Sequence, residues 1–377
     1  MDFELSEDQV LLQESVTRFV ADNYSFEQRR KLVDTDQGYS DKQWSQFAEL
    51  GWLGMPFAED VGGYGGTPVE TMVVLEEFGK GLVAEPYIST IVLGGGALVH
   101  GGTAAQQQEL IPQVAEGNLK LALGFAERQS RYNLADVQTK AEKSGVDYVL
   151  SGMKSVVFGA PTANKFIVSA RTGGAARDEG GISLFLVDAD ASGVSVRGYP
   201  TVDGMRAGEV TLDGVKVGAD ALMGAEGEGF GALETTIDYA IAATAAEAVG
   251  AMSALNDMTL EYIKTREQFG QPIGKFQVLQ HRMVDMFIAH EEAKSMAMMA
   301  AMRIDDEDPN ERRKAASATK VQIAKSARFV GQQAIQLHGG IGMTDEYATG
   351  HYFKRLTMID RSYGDGDYHL ARFGALS

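Results

Sequence analysis

Two short stretches in the last third of the chain carry the residues best suited to hold an anionic ligand. Arg266-Glu267-Gln268-Phe269-Gly270 places a guanidinium at the end of a helical pattern, and Gln336-Leu337-His338-Gly339-Gly340 follows with adjacent glycines. A guanidinium offers paired N–H donors to phosphate oxygens, and glycines let backbone amides approach the same oxygens closely. Gln336 and Gln277 can add neutral hydrogen bonds. Each stretch also has a plain reading, as a surface arginine and as a helix stop at Gly339-Gly340. Carboxylates placed to move a proton are fewer. Asp365 and Asp367 lie in Gly364-Asp365-Gly366-Asp367, which reads at least as well as a polar turn whose aspartates bond their own backbone. Glu247 stands among Ala245, Ala246, Ala248 and Val249. There it is either an acid of raised pKa or one half of a buried pair, and the pair is the stronger reading. His338 is expected to be a hydrogen-bonded structural residue.

These residues need long elements to position them. Helical periodicity spans 233–264, 276–304 and 311–337, lengths that suit an antiparallel bundle. The Met296, Met298, Met299 and Met302 stretch reads as adaptable core or subunit interface. Near the N-terminus, Ser6-Glu7-Asp8-Gln9 is a capping-box pattern, and Thr67-Pro68-Val69-Glu70 starts a second helix with proline at its first position. The glycine-rich 62–66 loop before it lacks a strand–loop–helix context and is read as a turn. Between the helical regions the pattern changes. Tyr148-Val149-Leu150, 165–170 and 182–187 are short, β-rich and bounded by glycine or aspartate, which predicts a small antiparallel sheet. The plan is helices, sheet, helices, with boundaries at 1–119, 120–226 and 227–377: a mainly α chain with a middle β domain.

The bulk composition narrows the partners. A length of 377 residues calls for more than one compact core. A net charge of −18 repels nucleic acid and anionic membrane, so neither is an expected partner. No apolar run reaches membrane-span length, and Met1-Asp2-Phe3-Glu4 has no basic or apolar leader character, so a cytoplasmic location is expected. With no cysteine, disulfides, thiolate metal sites and a cysteine nucleophile are excluded, and no metal site is expected.

The motifs together resemble one family. Arg266-Glu267-Gln268-Phe269-Gly270-Gln271-Pro272-Ile273 with Phe276-Gln277 is similar to the RxxFG signature of acyl-CoA dehydrogenases, and Gln336–Thr344 to their QxxGGxG signature. Phe125-Ala126-Glu127, Thr139-Lys140-Ala141 and Gly152-Met153-Lys154 resemble the frame of that family's sheet domain, so the likeness covers essentially the whole chain. The resemblance implies the acyl-CoA dehydrogenase fold and FAD as cofactor. It also implies α,β-dehydrogenation of an acyl-CoA thioester in β-oxidation, by a tetramer that passes electrons to an electron-transfer flavoprotein. It assigns Arg266, Phe269, Gln277, Gln336, Leu337, Gly339 and Gly340 to the ADP half of an FAD bound mainly by a neighbouring subunit.

The sequence departs from the family at three places. In the Tyr-Glu-Gly-Thr turn that usually carries the catalytic base, Tyr363-Gly364-Asp365 puts glycine at the glutamate position. The alternative glutamate position, on the helix before the RxxFG motif, falls on Ala240. The Glu-Pro-x-x-Gly-Ser-Asp flavin loop becomes Glu127-Arg128-Gln129-Ser130-Arg131-Tyr132-Asn133, and the Trp-Ile-Thr strand becomes Val156-Val157-Phe158. The CoA-contacting Asp-x-x-Arg pattern keeps Asp238 and loses its arginine at Ile241. The half-site a subunit makes for itself is thus degraded, while the half it lends is kept. That asymmetry resembles the small subunits of heteromeric acyl-CoA dehydrogenases of the pimeloyl-CoA and steroid-degrading types. It implies an unlike partner in an α2β2 assembly and a dicarboxylyl or bulky, steroid-type acyl chain. A homotetramer using Asp365 as replacement base, and a flavin-free binding protein, are the alternatives.

Overall fold

The computed structural model describes residues 4–376; the first three residues, which bear on the leader expectation, lie outside the described residues. In chain order the α-helices are α1 (Glu7–Asn23), α2 (Phe26–Val33), α3 (Asp41–Glu49), α4 (Pro68–Gly81), α5 (Gly96–Gly101) and α6 (Ala104–Ala115). After the sheet come α7 (Gly229–Thr265), α8 (Gln277–Arg303), α9 (Pro309–His338), α10 (Ala348–Arg361) and α11 (Gly366–Ala375). No helix among the described residues is long and apolar enough to cross a membrane.

The chain forms two compact units. One draws on the chain up to Lys31, Pro68–Val83 and the chain from Ile241; the other comprises Leu32–Thr67 and Ala84–Ala240. In the first, the start signals act as their chemistry requires. Ser6 Oγ accepts from Gln9 N at 3.3 Å while Gln9 Oε1 accepts from Ser6 N at 2.9 Å, closing the capping box of α1. Proline opens α4, and Glu70 on its first turn receives Gln9 Nε2 at 2.8 Å, tying the two helices together. The three long helices lie where periodicity puts them, with two earlier starts: α7 begins at Gly229, and α9 at Pro309, where Asp308 caps it through Asn310 N at 2.9 Å. The core of this unit is small-residue rich: Ala245, Ala248 and Ala251 of α7 pack with Met286 of α8 and Val330 of α9. Such residues bring backbones together. A Cβ on Gly250 would fall far inside contact distance of the Glu76 carbonyl oxygen, and one on Gly79 would do the same at the Glu247 carbonyl. Gly250→Ala is therefore expected to lower stability by about 3 kcal/mol, at the upper end of typical overpacking, as read from urea midpoints. A loss below about 0.5 kcal/mol would show that α4 and α7 can simply slide apart.

In the second unit the strands are β1 (Leu121–Gly124), β2 (Lys140–Ser144), β3 (Asp147–Phe158), β4 (Lys165–Arg171), β5 (Ile182–Asp188), β6 (Val194–Pro200), β7 (Arg206–Val217) and β8 (Leu222–Met223). They form one sheet in the order β6-β7-β3-β2-β4-β5-β8, with β1 joined to β4. The sheet is mixed rather than purely antiparallel: β1 runs parallel to β4, and β2 meets β4 in parallel at Lys140 and Arg171. The long β1-to-β4 connection holds a complete hairpin, so nothing constrains these strands to run antiparallel. Strand β3 bulges between Lys154 and Val157, and Val156 takes φ 52° there. For a β-branched residue that is an outlier, of a kind that collects at functional sites.

Candidate functional site

The end of α7 builds the first motif. Arg266 N closes the last helical turn on Tyr262 O at 2.8 Å, and Glu267-Gln268 pairs with Gln271-Pro272 as a two-residue hairpin. Its tip, Phe269 at φ 55° and Gly270 at φ 74°, has the positive dihedrals of the type I′ loop that matches strand twist. Phe269 is consequently thrust outward, 90% exposed, with its ring edge-on to Phe276 at a centroid distance of 6.1 Å. Arg266 is exposed, and its guanidinium makes no ion pair or hydrogen bond among the described residues. Gln277 opens α8 and is exposed as well.

The second motif ends α9. Gly339 adopts φ 65° and ψ −140°, a conformation that belongs to glycine rather than the left-handed helix stop of the plain reading. A Cβ at Gly339 or Gly340 would meet nothing within 4 Å. Packing therefore does not explain these glycines, and their backbone is open to a ligand. Gln336 is exposed beside them. Leu337 differs from its assignment: its side chain, 6% exposed, lies in the helical core, because it occupies the inward face of α9. His338 is structural, with Nδ1 donating to Ala334 O at 2.8 Å and burial lowering its pKa. Its ring stacks on Tyr262 at 4.4 Å, which draws the ends of α7 and α9, and hence both motifs, into one neighbourhood. A cavity of about 430 Å³ adjoins the second motif, lined by Ile335, Met343, Phe353 and Lys354 among others. A free guanidinium, two exposed carboxamides and unobstructed glycine backbone are the donors a diphosphate needs, so these residues fit the ADP half of FAD.

The acids fall differently. Asp365 caps α11, with Oδ1 accepting from Tyr368 N at 3.0 Å, and Oδ2 accepts from Arg361 Nη1 at 3.1 Å. That is the polar-turn geometry. Asp367 is exposed on the first turn of the same helix. Glu247 holds Arg355 in a bidentate pair, Nε to Oε1 and Nη2 to Oε2 both at 2.6 Å, and both residues are buried. Asp238 is completely buried, so its carboxylate presents no surface to a CoA chain as folded here. Ala240 is buried too.

Two buried residues around the Tyr363 turn gave no sequence signal. Lys320 of α9, 1% exposed, donates to the carbonyls of Ile359 and Ser362, and burial lowers its pKa to about 7. His369, also 1% exposed, sits against Tyr363 O at 2.8 Å, and burial pulls it down to about 4. In the sheet unit Glu127 is anchored by Lys154 Nζ at 2.7 Å and by the amides of Gln138 and Thr139 at 2.9 and 3.0 Å. Burial favours the neutral carboxyl, but Lys154 and the other donors outweigh it and hold Glu127 at about 2. Along the same loop Arg131 has φ 49°, the left-handed form, where the family pattern has glycine. Tyr132 and Phe158 are partly buried bulky residues where that pattern has small hydroxylated ones.

Comparison with known proteins agrees along the whole length. Family models described as acyl-CoA dehydrogenase N-terminal, middle and C-terminal domains match residues 6–118, 122–215 and 227–372. The probable acyl-CoA dehydrogenase YngJ of Bacillus subtilis is 31% identical over 99% of this chain and 98% of its own. Among solved structures, a chain of the ChsE4–ChsE5 complex from Mycobacterium tuberculosis superposes with a TM-score of 0.89 at 27% identity, covering 100% of this chain and 98% of that one. A chain of a variant of the Tcur3481–Tcur3483 steroid ACAD gives 0.88 at 31% identity, with 98% and 97% covered.

Proposed function

Because this chain belongs to the acyl-CoA dehydrogenase family, oxidoreductases that use FAD, we propose that it is the subunit that completes FAD sites in a heteromeric dehydrogenase. The observation that carries this reading is the contrast between two half-sites. Arg266, Gln277, Gln336, Gly339 and Gly340 stand exposed and uncommitted, whereas both positions for a base hold residues without a carboxylate, Gly364 and Ala240. A flavin-free binding protein would have no use for an unpaired guanidinium beside open glycine backbone.

When bound, FAD would supply the hydride acceptor for the β-hydrogen of the acyl thioester. The residues of this chain would position it: Arg266 would neutralise the diphosphate, Gln277 and Gln336 would orient it, and the glycine backbone amides would donate to it. Removal of the α-proton then falls to a carboxylate of an unlike subunit in an α2β2 tetramer. Asp365 is a weaker candidate, since a helix N-terminus and Arg361 already occupy its two oxygens. We take the substrate to be a bulky, steroid-type or dicarboxylyl acyl-CoA within β-oxidation, and the electron acceptor to be an electron-transfer flavoprotein. The likeness to chains of ChsE4–ChsE5 and of a steroid ACAD supports the bulky substrate and the unlike partner.

Native mass and the absorption spectrum of the purified chain test the assignment. The expected result is a colourless protein that gains flavin and activity only with an unlike homologous subunit. In that assembly Arg266→Ala should lower flavin affinity by one to two orders of magnitude, the loss of a charge-assisted bidentate contact, and Asp365→Asn should leave turnover intact. A yellow, active homotetramer silenced by Asp365→Asn would overturn it.

A further inference from the structure

The turn joining α10 to α11 is clamped from all sides. Lys320 holds the carbonyls of Ile359 and Ser362, the latter at 2.7 Å. The Tyr363 carbonyl accepts from His369 Nε2 at 2.8 Å, which leaves His369 Nδ1 to accept the Ser317 hydroxyl at 3.3 Å. Asp365 fixes the far side through Tyr368 N. Inside this frame Tyr363 has φ 62° and Gly364 φ 109°. An aromatic residue in the left-handed region persists only where its surroundings over-determine it, and here they do.

Gly364 is walled in. A Cβ there would lie 2.5 Å from His369 Nε2 and 2.6 Å from Tyr368 Cδ1, and His369 cannot swing aside without breaking both of its hydrogen bonds. We propose that His369 and Tyr368 lock this turn in a form that admits only glycine at position 364, so that the chain is sterically barred from carrying a base there. The functional meaning of the lock rests on the completing-subunit reading: the subunit has lost a carboxylate and has also closed the space for one. Restoring the acid alone therefore cannot restore a half-site.

A double-mutant cycle on the full-length chain tests the lock. Gly364→Ala is expected to lower the thermal midpoint by roughly 5 °C, and by distinctly less in a His369→Ala background, because the overlap with the imidazole is gone while the Tyr368 contact and the backbone strain remain. Gly364→Glu should show the same coupling with a larger loss. Should His369→Ala not fold, Tyr368→Ala takes its place as the second wall. Equal losses in both backgrounds, or no loss at all, would overturn the lock, whereas a residue of merely structural value would give additive effects. The completing-subunit reading stands or falls separately, on the colour and mass of the unmodified chain.

Discussion

Arg355→Met is expected to destabilise the helical unit by about 3–5 kcal/mol, because it leaves a buried carboxylate with no cation. Glu247 lies on α7 in a run of alanines, and the side chains of Glu247 and Arg355 are 5% and 10% exposed. Both oxygens of Glu247 are engaged by one planar guanidinium, the strongest geometry an ion pair can adopt. Glu247→Leu combined with Arg355→Met should recover most of the loss, since two apolar residues of similar volume replace the pair without an orphaned charge. Urea denaturation of the four proteins measures the coupling. A single-variant loss within about 1 kcal/mol would mean that water reaches the pair. The same result would reopen Glu247 as a candidate base, which its present engagement with Arg355 disfavours.

What was legible in the sequence had local causes. Helix periodicity, the Ser6 capping box and the Pro68 start are written within a few residues, and they stand in the structure. The open glycines at 339 and 340 also follow from local chemistry, whereas the hairpin at 267–272 was not read from the sequence. Features that depend on distant partners could not be. Arg355 is 108 positions from Glu247, and Lys154 is 27 from Glu127 in an unrelated strand. Leu337 looked like part of a binding motif because it sits inside one, but the rotation of α9 turns it into the core. The lack of space at Gly364 depends on how α11 returns over the turn, and glycine alone cannot tell a flexible position from a walled one.

Acid should unfold this chain through Glu127, and Lys154 should set where that happens. Glu127 is held at about 2 against an ordinary 4.5, so as pH falls the unfolded chain takes up the proton first. Its contribution is therefore complete above about 4.5 and is lost as pH drops toward 2, a decline of about 3 kcal/mol for this group. Lys154→Met should remove about 3 kcal/mol already at neutral pH, since the carboxylate keeps its amide donors and loses its cation. The variant should also flatten the acid limb, because a carboxyl without its cation has less to lose on protonation. Urea midpoints of both proteins at pH 7, 5 and 3.5 separate the outcomes. Converging curves place the acid sensitivity in this pair; parallel curves would place it elsewhere. The pair also anchors the loop that carries Arg131 and Tyr132, so proteolysis in the 127–139 segment should quicken in Lys154→Met well before the sheet itself unfolds.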